Sequence, residues 1–313
     1  MHRPSRFTAV LGCLAMLAMV GCATSAGVGP VTPQQQPQAR VPSGPGWVYK
    51  DGVLYHLPHY MVTRNAAVKP PAISLTYYGG PVQTTPAVYI IFWGYQTYGD
   101  RYGVQNLLTT YMGNMGGSGH NNIYTQYYQI VNGTTTHITN PTGQLLGTWN
   151  DQTNSVPLHP TDSQIAAEAL RGVSHFGYNG NASYIVATPH GRSTNGFRTQ
   201  WCAYHSNTFS SGKLVSYTDF PYMPDAGASC GSNIISPPSD ESGIDEGVTI
   251  VGGHEQGESV TDPEPPNGWY NNSYGEIGDI CAWTNIQNDP FGTYSFTSQP
   301  MFSNATHSCV HSY

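Results

Sequence analysis

Two stretches of the chain are apolar without interruption and rich in β-branched residues: "AVYIIFWG" at 87–94 and "ASYIVATPHG" at 182–191. Runs of that length, bounded by Pro86 and Gly94 in the first case, predict strands buried on both faces. Between and after them the spacing of apolar positions predicts helices at 104–112 and 122–130. A further helix follows Thr161, where Thr161 and Gln164 form a capping-box pattern ahead of Ile165, Ala166, Ala169 and Leu170, with Gly172 expected to end it. Strand, helices, strand and helix in that order predict an α+β fold, a mixed sheet with helices packed on it. No internal repeat is present.

The next helix is expected over 244–261, with Asp240, Glu241 and Asp245 near its positive end and Pro263 as its stop. Gly247, Gly252 and Gly253 each cost it roughly 0.8–1 kcal/mol against alanine. Something other than propensity must hold it, either close packing against a neighbouring strand or a bound metal.

The chain ends are less patterned. Arg3 and Arg6, the apolar run 7–20 and the small residues after it read as an export signal over 1–21, too short to span a bilayer comfortably. Met19-Val20-Gly21-Cys22 resembles a bacterial lipobox, which makes Cys22 a candidate acylated residue; ordinary cleavage near Ala26 is the alternative. By resemblance to bacterial lipoproteins, Ala23 after that cysteine favours the outer membrane over the inner one. Residues 22–46, with "TPQQQPQARVPSGPG", predict a flexible Pro/Gln-rich tether. Residues 47–313 then form one globular domain.

Removal of 1–21 leaves nine basic residues against eighteen acidic ones, a net charge of −9. That excludes nucleic acid as the natural partner, and a membrane is engaged only through the lipid anchor. Cys202, Cys230, Cys281 and Cys309 are an even set in an exported chain and predict two disulfides. Of the three pairings, neighbours in sequence, Cys202 with Cys230 and Cys281 with Cys309, are favoured. No C-x-x-C spacing supports a four-cysteine zinc site. Oligomeric state leaves no mark on the sequence.

The chain is only 9% charged, yet 251–283 gathers a histidine and a succession of carboxylates. "HEQGE" has the H-E-x-x-H outline of a zinc-hydrolase helix with glutamate in place of the second histidine. On a helix His254 and Glu258 share a face, and Glu255 points about 100° away. That pattern supplies two metal ligands and one general base. A carboxylate is a competent zinc ligand, and a carboxylate-rich set tolerates Mn²⁺ or Fe²⁺ as well as Zn²⁺. Three residues compete for the third ligand position. Glu276, eighteen residues past Glu258, has a spacing similar to that of gluzincins, with Asp279 then orienting His254. Asp262 is disfavoured by the proline that follows it. His205 in "WCAYHSN" is the third. A solvated acidic face at Glu255, Glu258, Asp262 and Glu264 is the plain alternative, with His120, His159, His190 and His311 as surface or loop residues and Trp269, Tyr270 and Trp283 as core aromatics.

"VYIIFWG", "CAYH", "SPPSDESGIDEGVTIVGGHEQGE" and "NGWYNNSYGEIGDIC" resemble, in that order, the EXORDIUM or phosphate-induced protein 1 family of secreted plant proteins and their bacterial relatives. The resemblance covers His254, Glu255, Glu258, Glu276, Asp279, Cys281, Cys202 and His205. It implies an extracellular or cell-surface protein and does not deliver a reaction. The plant pattern reads H-E-L-A-E followed by Ser-Asn-Pro; this chain departs at Gln256-Gly257 and at Thr261-Asp262-Pro263. Two functions are therefore expected. One is a zincin-like metallohydrolase acting on peptide or cell-envelope material, with metal on His254, Glu258 and Glu276 and Glu255 as base. The other is a noncatalytic surface protein whose metal or acid cluster is structural and whose tyrosine-rich face binds glycan or peptide.

Overall fold

In the computed structural model the two apolar runs lie at the middle of a six-stranded sheet, where both faces are covered. The structure describes the backbone of residues 47–50, 53–56, 59–66, 73–237 and 241–313. The expected signal, Cys22, the 22–46 tether and Asp240 lie outside the described residues. The sheet comprises β1 (His59–Val62), β2 (Ala87–Trp93), β3 (Leu145–Asp151), β4 (Ala182–Ala187), β5 (Trp201–Ser210) and β6 (Lys213–Phe220). Its order is β1-β5-β6-β4-β2-β3. Strands β3, β2, β4 and β6 run parallel, while β5 is antiparallel to both β6 and β1. The β5–β6 reversal uses Ser211 and Gly212, both at positive φ (49° and 77°), the backbone a two-residue hairpin requires.

Three long helices cover this sheet: α1 (Val104–Met115), α2 (Asp162–Phe176) and α3 (Glu246–Thr261). The capping box at Thr161 forms as expected, with Thr161 and Gln164 satisfying each other's backbone N–H groups. Gly172 does not end α2. It lies inside the helix, where a Cβ would come within 2.6 Å of Ile91, so it serves close approach to β2; Gly177, at φ 95°, is the C-cap. Side chains alternate across a strand, and Ile91 therefore points away from Phe92. The register carries Phe92 across Ala187 to Phe220, which packs near Gly252 of α3. Helices α2 and α3 consequently lie on opposite faces of the sheet, and α1 packs beside α3.

The helix expected at 122–130 is absent. A short helix at Gly119–Asn122 and a 3₁₀ turn at Ile123–Gln126 lead into a strand, Tyr128–Val131, paired with Thr134–His137. Asn132 and Gly133, both at positive φ, make the two-residue turn between them. An Asn-Gly pair flanked by tyrosine, isoleucine, valine and threonine is a strong hairpin signal, and it overrides the helical spacing of the apolar positions.

Both disulfides join the neighbours in sequence, Cys202 with Cys230 and Cys281 with Cys309. Their presence is consistent with an exported protein. Among the described residues no helix is long and apolar enough to cross a membrane.

Candidate metal centre

Helix α3 is buried along all sixteen of its residues. Its glycines explain how so poor a helix former can be so enclosed. A Cβ on Gly247 would lie 1.9 Å from the carbonyl oxygen of Cys230, one on Gly253 2.3 Å from the Tyr111 hydroxyl, and one on Gly257 2.8 Å from the Tyr124 hydroxyl. Neighbouring backbone and tyrosines occupy the volume that side chains would have filled. Packing therefore compensates for propensity: the helix lies against strands, β5 and β6 among them, as one expectation had it, and its glycines admit the Cys230 backbone and the two tyrosines.

The site gathers on the C-terminal half of this helix. His254 and Glu258 share a face, with His254 Nε2 2.9 Å from Glu258 Oε1. His205 projects from β5 toward α3, placing Nδ1 3.4 Å from Glu258 Oε2 and 3.6 Å from Glu255 Oε2. Its Nε2 donates to the Asp262 carbonyl at 3.2 Å and lies 3.5 Å from Glu276 Oε1. Segment 275–281 brings the remaining acids. Gly278 has no side chain, and a Cβ there would lie within 2.9 Å of both His254 Nδ1 and Glu258 Oε1, so its backbone can lie against the His–Glu pair. The Asp279 N–H donates to Glu258 Oε1 at 3.0 Å, and Asp279 Oδ2 accepts from the Glu276 N–H at 3.1 Å. Ile277 and Ile280 anchor the segment in a second apolar cluster with Tyr127 and Trp269.

Two groups of ligand atoms, each within 4.8 Å of one another, result: His254, Glu258 and Asp279; and His205, Glu258 and Glu276. The three ligands expected from spacing, His254, Glu258 and Glu276, are thus distributed over both. Asp279 faces the same His254 Nε2 that Glu258 faces, at 3.6 Å. A carboxylate that merely oriented this histidine would stand at Nδ1. The Asp262 side chain turns away, Oδ1 accepting from the Gly268 N–H at 2.8 Å. Its backbone is extended (φ −148°), in keeping with the proline that follows.

The plain alternative of a solvated face does not describe these acids. Glu255, Glu258, Asp262 and Glu276 are all buried, and Glu264 is half-buried. Burial raises the Glu255 and Glu276 carboxyls and carries Asp262 up to about 7. Burial, with the charge of Glu258, lifts Asp279 to about 8. Glu258 alone goes the other way: burial opposes its charge, but His254 and His205 hold it well below the usual carboxylate range. Burial likewise works against a charged His254, yet Glu258 beside it raises the ring to about 9. The crowding of acids thus favours proton uptake by all of them but Glu258. Among the described residues, both Glu255 oxygens, Glu258 Oε2 and His254 Nδ1 are buried without a hydrogen-bond partner. Such groups are costly unless a cation or water completes them, and the donor set of imidazole and carboxylate fits a divalent ion.

Sequence reasoning gave no role to Tyr111 or Tyr124, whose hydroxyls press on the helix glycines, or to Asp219, buried on β6 and raised to about 8 chiefly by burial. The signal for Asp219 was an aspartate in an otherwise strand-like run; the tyrosine–glycine contacts had none. His120, expected at the surface, is buried and bonded to the Gln299 carbonyl, and His311 pairs with Asp289. His159 and His190 are exposed and Trp269 and Tyr270 are buried, as expected, while Trp283 is half-buried. A surface pocket of about 480 Å³ includes His159, His190, Arg198 and Asp225 in its lining and none of the seven site residues. No protein-family model, curated protein or solved structure matches the chain.

Proposed function

We propose that this is an exported, zincin-like, EXORDIUM-like metal-dependent hydrolase acting on peptide or cell-envelope material. Its main support is the convergence of His254 and Glu258, one helical turn apart, with His205, Glu276 and Asp279 from two other segments in a buried, acid-rich centre. His254, Glu258 and Asp279 would hold a divalent cation, Zn²⁺ or a harder ion such as Mn²⁺ or Fe²⁺, with His205 and Glu276 on the other side of Glu258. When bound, the ion would supply a Lewis acid for a scissile carbonyl and acidify nearby water. Glu255, one residue from His254 and with its proton affinity raised by burial, is the group to accept and return a proton. Asp279, 19% exposed, marks the side from which substrate would approach.

The same exposure pattern favours a second role. Six of the seven site residues, all but Asp279, are at most 1% exposed, as in a closed structural metal site of a noncatalytic surface protein. Metal content, melting temperature and turnover of a peptide library separate the two. In a hydrolase Glu255→Gln retains metal and lowers turnover by about 10²–10⁴-fold. Glu258→Ala loses metal in either case. No turnover by the metal-loaded wild type, with a lowered melting temperature in Glu258→Ala and an unchanged one in Glu255→Gln, assigns the structural role, and wild-type protein that takes up neither Zn²⁺ nor Mn²⁺ refutes both.

A further inference from the structure

Glu258 belongs to both ligand groups, and its two oxygens divide between them. Oε1 is 2.9 Å from His254 Nε2, and Oε2 is 3.4 Å from His205 Nδ1. One carboxylate presenting one oxygen to each of two histidines has the donor arrangement of a bridge. We propose that the centre holds two divalent cations joined by Glu258, one on His254 and Asp279 and the other on His205 and Glu276. This rests on the metal reading above and adds the number of ions and the residue that couples them.

Charge balance supports a pair over a single ion. Glu255, Glu258, Glu276 and Asp279 bring four carboxylates around two imidazoles, with the Asp262 side chain turned to the Gly268 N–H. Once these four are deprotonated for metal binding, one dication leaves two formal negative charges in an enclosed site, and two dications leave none. The histidines also meet the requirement separately. Nε2 of His205 donates to the Asp262 carbonyl and Nδ1 faces Glu258, the bond pattern by which a ligand histidine is fixed; Glu276 Oε1 stands nearer Nε2, at 3.5 Å, with ligand atoms of the three residues within 4.8 Å of one another. His254 turns Nε2 toward Glu258 and Asp279. Independently, Glu258 Oε2 and both Glu255 oxygens are buried without a hydrogen-bond partner among the described residues. Carboxylate-bridged pairs of this kind set ions about 3.5–4 Å apart, where they can act on both sides of one displacement.

The two positions differ in enclosure. Asp279 is 19% exposed, whereas His205, Glu258 and Glu276 are fully buried. The His254 ion should therefore leave first. The test uses the mature full-length protein, purified without chelator and loaded with Zn²⁺, measuring bound zinc by mass spectrometry and its release to a chromophoric chelator. Expected are two equivalents leaving in two phases, with His254→Gln losing the fast phase, His205→Gln the slow one, and each retaining one equivalent. Because His205 is buried and its variant could misfold, wild-type protein loaded with Mn²⁺ is read by electron paramagnetic resonance, where a carboxylate-bridged pair gives an exchange-coupled spectrum. One equivalent, lost from either histidine variant, with an uncoupled Mn²⁺ signal overturns the pair and leaves the metallohydrolase proposal standing. Two equivalents with an uncoupled signal overturn the bridge. No bound metal overturns both.

Discussion

Helix α3 carries three glycines whose replacement by alanine should give opposite results within two turns of one helix. In an exposed helix each Gly→Ala change would stabilise by about 0.8–1 kcal/mol. At Gly247 the new Cβ would lie 1.9 Å from the Cys230 carbonyl oxygen and 3.1 Å from its carbon, a backbone group tied to β5 by the disulfide to Cys202. At Gly253 it would lie 2.3 Å from the Tyr111 hydroxyl. The tyrosine cannot swing aside freely, because its ring meets Phe291 and Phe296 edge-on, each with centroids 5.2 Å away. At Gly252 the nearest atoms are the Met112 methyl at 3.2 Å and a Leu108 methyl at 3.4 Å, both ends of flexible side chains.

Overpacking a core costs roughly 1–3 kcal/mol, at the upper end where backbone must move. Set against the propensity gain, Gly247→Ala and Gly253→Ala should each lose about 1–2 kcal/mol, and Gly252→Ala should fall between neutral and about 1 kcal/mol more stable. For a domain of this size that is a drop of about 2–8 °C in melting temperature for the first two and no drop for the third. Urea unfolding followed by circular dichroism at fixed metal loading measures all three. A Gly247→Ala variant as stable as wild type, or equal losses at all three positions, would refute this account of why the helix is glycine-rich. On the metal reading proposed above, Gly253→Ala should also weaken metal uptake, since it displaces the backbone next to His254.

Each disulfide closes a separation of 28 residues, so chain entropy assigns either bond about 3–4 kcal/mol, measurable as the stability lost in Cys202→Ala/Cys230→Ala or Cys281→Ala/Cys309→Ala. An unchanged denaturation midpoint in both pairs would refute that assignment. Glu168 on α2 supplies a pH effect away from the candidate metal centre. Burial, followed by its contact with Asp151, raises its carboxyl to about 8. Between about pH 4.5 and 8 the folded chain holds a proton that the unfolded chain has released, so this group's contribution to stability falls as pH rises through that window. Glu168→Gln should flatten the fall, and melting curves from pH 5 to 9 that match wild type in slope would exclude the effect.

The parts of the fold that were legible in the sequence are those decided by local pattern. The apolar runs at Ala87 and Ala182 became central strands, Thr161 and Gln164 capped α2, and Pro263 follows closely on the end of α3. Errors came where two local signals competed, as at Asn132-Gly133, or where a glycine's meaning depended on a distant contact, as Gly172 depends on Ile91. The acidic residues of the centre were legible from motif spacing. Their division into two groups was not, because it depends on β5 delivering His205 and on Gly278 admitting the loop backbone beside Glu258. Neither contact leaves a periodic trace.

Both segments that reach the helix from outside are held close to the point of use. Cys202 is three residues before His205, and Cys281 two residues after Asp279. Like charges at this density repel; burial raises the proton affinity of Glu255, Asp262, Glu276 and Asp279, and the neighbouring carboxylates raise that of both histidines. A cation of the kind proposed would compete with protons for these groups, which would reduce its net binding energy. The scaffold can lower the remaining cost only by fixing the donors in advance, because ordering loose ligands at the moment of binding would add to it. Covalent staples beside the loop and strand ligands, together with a helix locked by side chains pressed against its glycines, accomplish that fixing. The least helix-prone segment is thus also the most enclosed, and the absence of a Cβ at Gly247, Gly253 and Gly257 is what lets its neighbours approach closely enough to hold it.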